Sequence, residues 1–381
     1  MLRKILTFFQ KETVLSISAI LAILSMFIIH PSGKYFSYID FRTLSLLFCL
    51  MSIVAGLSEI GLFDYLAEKI LSRANSIKSI IVLLVLLCFF FSMIITNDVA
   101  LITFGPFASI ILTKMSEKQK NYWILRTVVM QTIAANLGSM LTPIGNPQNL
   151  YLYARANMSA LALIRLMLPY SIAALVLLLV WIQIAAHREP GSTTENHISE
   201  LFSIHKTKAP NQTSLIGYLI LFLICLLVVA HIIDYRISFI LVIGYIFFKN
   251  WHLFKKVDYS LLLTFTALFI FIGNLKCIPQ FNHFLISIID GHETLTAILS
   301  SQIISNVPAA ILLSGFTKNY SALIIGTNIG GLGTLIASMA SLISFKYIAK
   351  EKTTLRGKYF MMFTIANIVF LILLLLCINL L

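Results

Sequence analysis

Long apolar runs follow one another along this chain, and polar residues break into them at a few separated points. A bilayer core of roughly 30 Å takes about 20 residues of apolar helix, so spans are expected over about 12–30 and from Asp40 to about Gly61. The following piece, from Phe63 to Ser76, has apolar residues at helical spacing and predicts an amphipathic helix. Residues 77–95 then run into Thr96-Asn97-Asp98, and 99–113 lead away to Lys114. The second arm, about 15 residues, makes only about 22 Å of helix, short of a roughly 30 Å core. The two arms are therefore expected to form a re-entrant hairpin over about 77–113 with Asn97 at its tip.

From about 120 a further span approaches Asn136-Leu-Gly138-Ser-Met-Leu-Thr142-Pro143-Ile-Gly145-Asn146-Pro147-Gln148-Asn149. Proline removes a backbone donor and clashes with the preceding turn, so this run cannot continue a regular helix. It predicts a broken helix over about 120–158. At membrane depth such a break is tolerated only where protein or a water-filled cavity satisfies the freed backbone. Another span is expected over about 161–186, and the polar segment 187–212 reads as a cytoplasmic linker between two halves, 1–186 and 213–381.

The second half repeats the first. Met93-Ile-Ile-Thr-Asn-Asp-Val-Ala and Gln302-Ile-Ile-Ser-Asn-Val-Pro-Ala agree at the hydroxyl, the Asn and the later Ala, and each has a Phe ten residues beyond its Asn, Phe107 and Phe316. Asp258-Tyr-Ser-Leu-Leu matches Asp40-Phe-Arg-Thr-Leu, and Asn328-Ile-Gly330-Gly-Leu-Gly-Thr334 matches Asn136 to Thr142. Spans near 213–231 and 237–249 are followed by a second hairpin over about 294–316 and a second broken helix over about 318–345. Short cytoplasmic loops are enriched in Lys and Arg. With the N-terminus inside and both hairpins re-entrant, Lys69, Arg73, Lys78, Lys118, Lys120, Arg188, Lys255, Lys256 and the cluster Lys346 to Lys358 fall on the inner side. The first hairpin then enters from the cytoplasm and the second from outside. The fold class expected is an all-α polytopic membrane protein of two inverted-topology repeats, the recurring plan of secondary transporters.

Composition strengthens this reading: 59% of the 381 residues are hydrophobic and 11% charged, against about 45–50% and about 25% in soluble domains. The net charge of +13 is spread over short loops and not gathered on one face, so it points to membrane topology, with the lipid bilayer as partner and no nucleic acid. The five cysteines show no paired spacing and lie in or beside apolar segments, so no disulfide or metal role is expected. No HExxH, no GxSxG and no phosphate-binding loop is present; no enzyme chemistry and no cofactor is expected beyond a coupling ion, Na⁺ or H⁺.

Candidate chemistry sits at the breaks, because polar groups inside a membrane are costly and mark ion or substrate pathways. At each tip a helix N-terminus carries about half a positive charge and suits an anion. Asn supplies both donors and an acceptor. Thr96, Asn97, Asn146, Ser305, Asn306 and Thr334 are the candidate substrate contacts. Asp98, the single acid in the apolar stretch of about 79–113, is the candidate coupling residue, with Asn136, Gly138, Thr142, Gly145, Asn328 and Gly330 of the broken helices as ion-site lining. The alternatives are that Asn97, Asn306 and Asp98 cap helices, and that the glycines serve close helix packing.

These motifs, Thr96-Asn-Asp-Val-Ala-Leu, Met140-Leu-Thr-Pro-Ile-Gly-Asn-Pro-Gln-Asn-Leu and Ser301-Gln-Ile-Ile-Ser-Asn-Val-Pro, resemble the ion transporter superfamily of divalent anion/sodium symporters, arsenite permeases and NhaD-type antiporters, and most of all its YbiR-type, SLC13-like bacterial permeases. The resemblance spans nearly the whole chain. It implies a homodimer in the bacterial inner membrane, in which a transport domain holding both hairpins and both broken helices slides as an elevator against a fixed scaffold. In the symporter branch Ser-Asn-Thr tips bind a carboxylate and help form Na⁺ sites. Here the hydroxyl and Asn are kept, while the third position is Asp98 at one tip and Val307 at the other; an Asn-Asp tip is similar to the arsenite-permease and antiporter branches. The functions expected are ion-coupled movement of a small anion, alternatively Na⁺/H⁺ antiport or metalloid efflux, and from a different class a channel.

Overall fold

Side-chain caps fix where several helices begin. Asp40 accepts from the Thr43 backbone N–H at 3.0 Å and from its hydroxyl at 2.7 Å, and Asp258 accepts from the Leu261 N–H at 2.9 Å. Each satisfies a donor that the first helical turn leaves without a partner. The computed structural model describes residues 12–112, 116–188 and 208–380, whose regular structure is helical throughout. Most of the polar segment read as a linker, 187–212, lies outside the described residues.

The first half runs α1 (Thr13–Ile28), α2 (Phe41–Glu59), the short amphipathic α3 (Leu62–Leu71), α4 (Ile77–Ile95), α5 (Asn97–Leu112), α6 (Glu117–Gly138) with a closing 3-10 turn at Ser139–Leu141, α7 (Pro147–Ala156) and α8 (Ala160–His187). The second runs α9 (Gln212–Val229), α10 (Tyr235–Asn250), α11 (Tyr259–Lys276), α12 (Pro279–Ile289), α13 (Glu293–Ile304), α14 (Asn306–Leu313), α15 (Tyr320–Ile329), α16 (Met339–Glu351) and α17 (Arg356–Leu380). Among the described residues eight helices are long and apolar enough to cross a membrane, and this is a multi-pass membrane protein. Large apolar side chains such as Phe27, Phe248 and Met361 are exposed on its outer surface, where lipid removes the usual cost of apolar exposure.

Packing is matched between the halves and crosses between them. α1 lies against α11, and α10 against α2. The Asn274 amide ties α11 to the α1 end through the Ser25 and Tyr35 hydroxyls, both at 2.9 Å. Within each half the arms pair, α4 with α5 and α13 with α14, and the first arm packs on the helix before the break, α4 on α6 and α13 on α15. The later helices exchange: α5 and α6 pack on α16 of the other half, while α14 and α15 pack on α7. The centre therefore falls on the broken segments. The apolar window of Glu117–Leu141 is 89% buried, that of Tyr235–Lys256 only 22%.

Candidate functional site

Two breaks between helical arms have the same backbone. Thr96, between α4 and α5, has φ 72° and ψ 152°; Ser305, between α13 and α14, has φ 73° and ψ 155°. This region is sparsely populated for any residue but glycine and costs on the order of 1–3 kcal/mol where another residue is held there. The surrounding contacts that hold it are also duplicated. The Asn97 N–H donates to the Gly145 carbonyl at 3.3 Å and the Asn306 N–H to the Ala337 carbonyl at 3.0 Å. The Thr142 hydroxyl donates to the Met93 carbonyl, and the Thr334 hydroxyl to the Gln302 carbonyl at 3.0 Å. Each tip is thus pinned to the unwound stretch of its own half.

A second layer of bonds joins the halves. The Asn97 amide donates to Asn136 Oδ1 at 3.1 Å, the same oxygen accepts from the Ser338 hydroxyl at 2.8 Å, and the Asn136 amide reaches the Gly331 carbonyl at 3.5 Å. In the mirrored position the Asn146 amide donates to Asn328 Oδ1 at 3.4 Å, and the Asn328 amide to Asn149 Oδ1 at 2.6 Å. These asparagines are all within 5% of full burial, where each unmade bond costs about 1–3 kcal/mol. The network accordingly fixes the two unwound stretches against one another.

The tips meet in one cavity of about 60 Å³, lined among others by Asn97, Asp98, Asn146, Pro147, Gln148, Asp258, Ser305, Asn306 and Val307. That is room for about four waters or a small ion. The N-terminal ends of α5, α7, α11 and α14 all line it, each the positive end of a helix dipole. Its charged lining is Glu12, Asp98 and Asp258, and among the described residues no Lys, Arg or His joins them. Two acceptors, Asp98 Oδ1 and Asn146 Oδ1, and one donor, Gln148 Nε2, are buried without a hydrogen-bond partner. These three groups are open to an ion, a water or a cargo in the cavity. Among the described residues no three His, Cys, Asp or Glu side chains stand close enough to hold a metal ion together.

Of the residues singled out from the sequence, Asn97, Asp98, Asn146, Ser305 and Asn306 line this cavity. Asn136 and Asn328 stand behind it in the network. Thr96 and Gly145 shape the first tip, and Thr142 holds it from below. Thr334 is exposed, with its hydroxyl on the Gln302 carbonyl and its N–H on the Gln302 side chain at 2.9 Å. Gly138 and Gly330 are contact points: a Cβ on Gly138 would stand 2.0 Å from the Phe89 carbonyl oxygen, and one on Gly330 2.9 Å from Ile298 Cα. Sequence reasoning gave no role to Gln148, Asp258, Ser338 or Gln302. Gln148 and Ser338 carried a signal, lying within or just past the unwound motifs; Asp258 was recognised only as a match to Asp40.

A multi-helical membrane protein whose duplicated broken helices enclose a small polar cavity is built as a membrane transporter. The chain belongs to the citrate transporter family, CitMHS, which it matches over residues 5–319, within the ion transporter superfamily. It is 35% identical over 334 residues to an uncharacterized transporter of Methanocaldococcus jannaschii, covering 87% of each chain. It is 31% identical over 332 residues to the inner membrane protein YbiR of Escherichia coli, covering 85% of this chain and 84% of that one. A shorter stretch of 128 residues, 33% of this chain and 15% of the relative, is 31% identical to the human P protein. The family is one of transporters, and the archaeal relative is named as one; neither is an enzyme.

Proposed function

We propose that this protein is a secondary active transporter that moves a small anion, a carboxylate or an inorganic oxyanion, across the bacterial inner membrane in symport with Na⁺ or H⁺. The observation that carries this reading is the meeting of both tips at helix N-termini around one cavity, lined by Asn97, Ser305 and Asn306. Helix N-termini favour an anion, and the family's description as citrate transporters names one with carboxylates. Asn97, Ser305, Asn306 and Asn146 contact the cargo, while Asp98 with Asn146 Oδ1 takes the coupling cation, whose charge offsets the acidic lining.

The matched halves support inverted repeats with α4–α5 and α13–α14 as re-entrant hairpins and the N-terminus inside. In that arrangement a transport domain of hairpins and broken helices slides as an elevator on a scaffold built from α1, α2 and α9–α11, within a homodimer. Reconstituted in liposomes, the protein should accumulate citrate or a small oxyanion against its gradient when an inward Na⁺ or pH gradient is imposed. Flux that neither gradient can drive uphill would make it a channel and overturn the proposal.

A second reading has an observation of its own. Among the described residues every charged group lining the cavity is acidic, which suits a cation as the cargo itself, in Na⁺/H⁺ antiport or metalloid efflux. Na⁺-driven proton movement with no dependence on any anion would select it.

A further inference from the structure

A second, unassigned space lies at the far end of α11. A cavity of about 260 Å³ is lined by Tyr38, Asp40, Arg155, Lys276 and Cys277 with the backbone at Gly315. It is separated from the central cavity by an aromatic cluster, Tyr151 standing 6.2 Å from Phe265 and 5.5 Å from Phe269 between ring centroids. Asp258 and Thr264 of α11 belong to the central cavity, Phe269 to Lys276 to this one. The two spaces therefore lie along one helix, with these rings at the turns between them.

The charge here is opposite to that of the central cavity. Arg155 and Lys276 close the last turns of α7 and α11, a place where cations complement the helix dipole. The dipole alone does not account for both cations facing one open space. Asp40, the acid in that lining, has its two oxygens engaged by Thr43, and among the described residues neither cation has a carboxylate within ion-pair distance. Two glycines in its wall sit at close contacts: a Cβ on Gly273 would stand 2.2 Å from the Tyr38 ring, and one on Gly315 2.7 Å from Ile272 Cγ2 and 3.2 Å from Lys276 Cε. Like charges held together repel, and an anion between them relieves that repulsion.

We propose that Arg155 and Lys276 form a second, peripheral binding site for a small multivalent anion, where cargo is collected before it passes the aromatic cluster. The volume suits an ion of di- or tricarboxylate size, below the usual range for drug-sized ligands. This rests on the reading of the cargo as an anion, but not on the elevator or on the assignment of the tips.

Cys277 reports on the site. It is an exposed free thiol in the cavity lining, whereas Cys49, Cys88 and Cys225 are buried. In the full-length protein, citrate and sulfate should slow maleimide alkylation of Cys277, followed by site-resolved mass spectrometry, several-fold relative to chloride. Arg155→Gln and Lys276→Gln should each weaken that protection and together remove it. Protection that survives in the double variant, or that is absent for every multivalent anion in wild-type protein, would overturn the proposal. Asn306→Ala separates the two sites: retained protection with lost transport supports both, retained protection with normal transport removes only the tip assignment, and lost protection would mean that Cys277 reports on the central cavity and there is no outer site.

Discussion

The two tips share a hydroxyl and an Asn and differ in charge at the next position, Asp98 against Val307, and in what holds them. At the first, Asn97 donates to Asn136 and is followed by Asp98, whose Oδ1 has no partner. At the second, Ser305 reaches Asn306 Oδ1 at 3.5 Å and the Ala337 carbonyl at 3.4 Å, and is followed by Val307. Their backbones coincide to within a few degrees. Two loops with one conformation thus carry unequal chemistry: an acceptor with charge on one side, an apolar wall on the other. On the proposed function the duplicated backbone would shape the binding concavity, and the asymmetric position would set what charge can share it.

The largest effect should come from removing what the tips share. Asn97→Ala and Asn306→Ala are each expected to bring gradient-driven uptake in liposomes to background, while the purified variants elute as folded protein. Full activity in both would end the shared-site reading. Next comes what they do not share. Asp98→Asn should leave substrate binding measurable but abolish or shift the Na⁺ and pH dependence of uptake; unchanged dependence would leave Asp98 as an N-terminal cap of α5. Val307→Thr, which places a hydroxyl beside the second Asn, is expected to change apparent substrate affinity with ion dependence intact, and an altered ion dependence instead would show that the asymmetry is not divided in this way.

The smallest effects test the frame that carries the tips. Gly138→Ala must push the Phe89 carbonyl aside and should cost about 1–3 kcal/mol, the usual range for overpacking, seen as a lowered unfolding temperature. Gly244→Ala, on α10 with nothing within 4 Å of the new Cβ, should be neutral or raise stability by up to about 1 kcal/mol, the gain in helix propensity.

Much of this arrangement is legible in the sequence because its period is coarse. Spans announce themselves by twenty apolar residues, and breaks by Pro143, Gly145 and Pro147 inside one. Residues 77–95 and 97–112 form the paired helices α4 and α5, and the chain leaves helix between α6 and α7. Pairing across the halves was not legible. That Asn136 meets Ser338, and Asn328 meets Asn146 and Asn149, depends on which helices exchange neighbours, and no local pattern encodes this. Asp258 escaped for a related reason: its spacing shows a helix cap, and only the packing of α11 against α14 brings it to the cavity. The outer cations were hidden by an ordinary explanation, since Arg155 and Lys276 each sit where a helix end favours a base.

The left-handed backbone at Thr96 and Ser305 has a practical corollary for protein engineering. Glycine adopts φ above zero at little cost, so a chain selected for robustness alone would place it at both breaks. On the proposed function, the Ser305 hydroxyl is kept for the cargo at a cost in thermal resilience. Glycine at both breaks would then give a less strained scaffold for crystallisation or antibody selection, one that on this reading lacks the cargo contact at the second break.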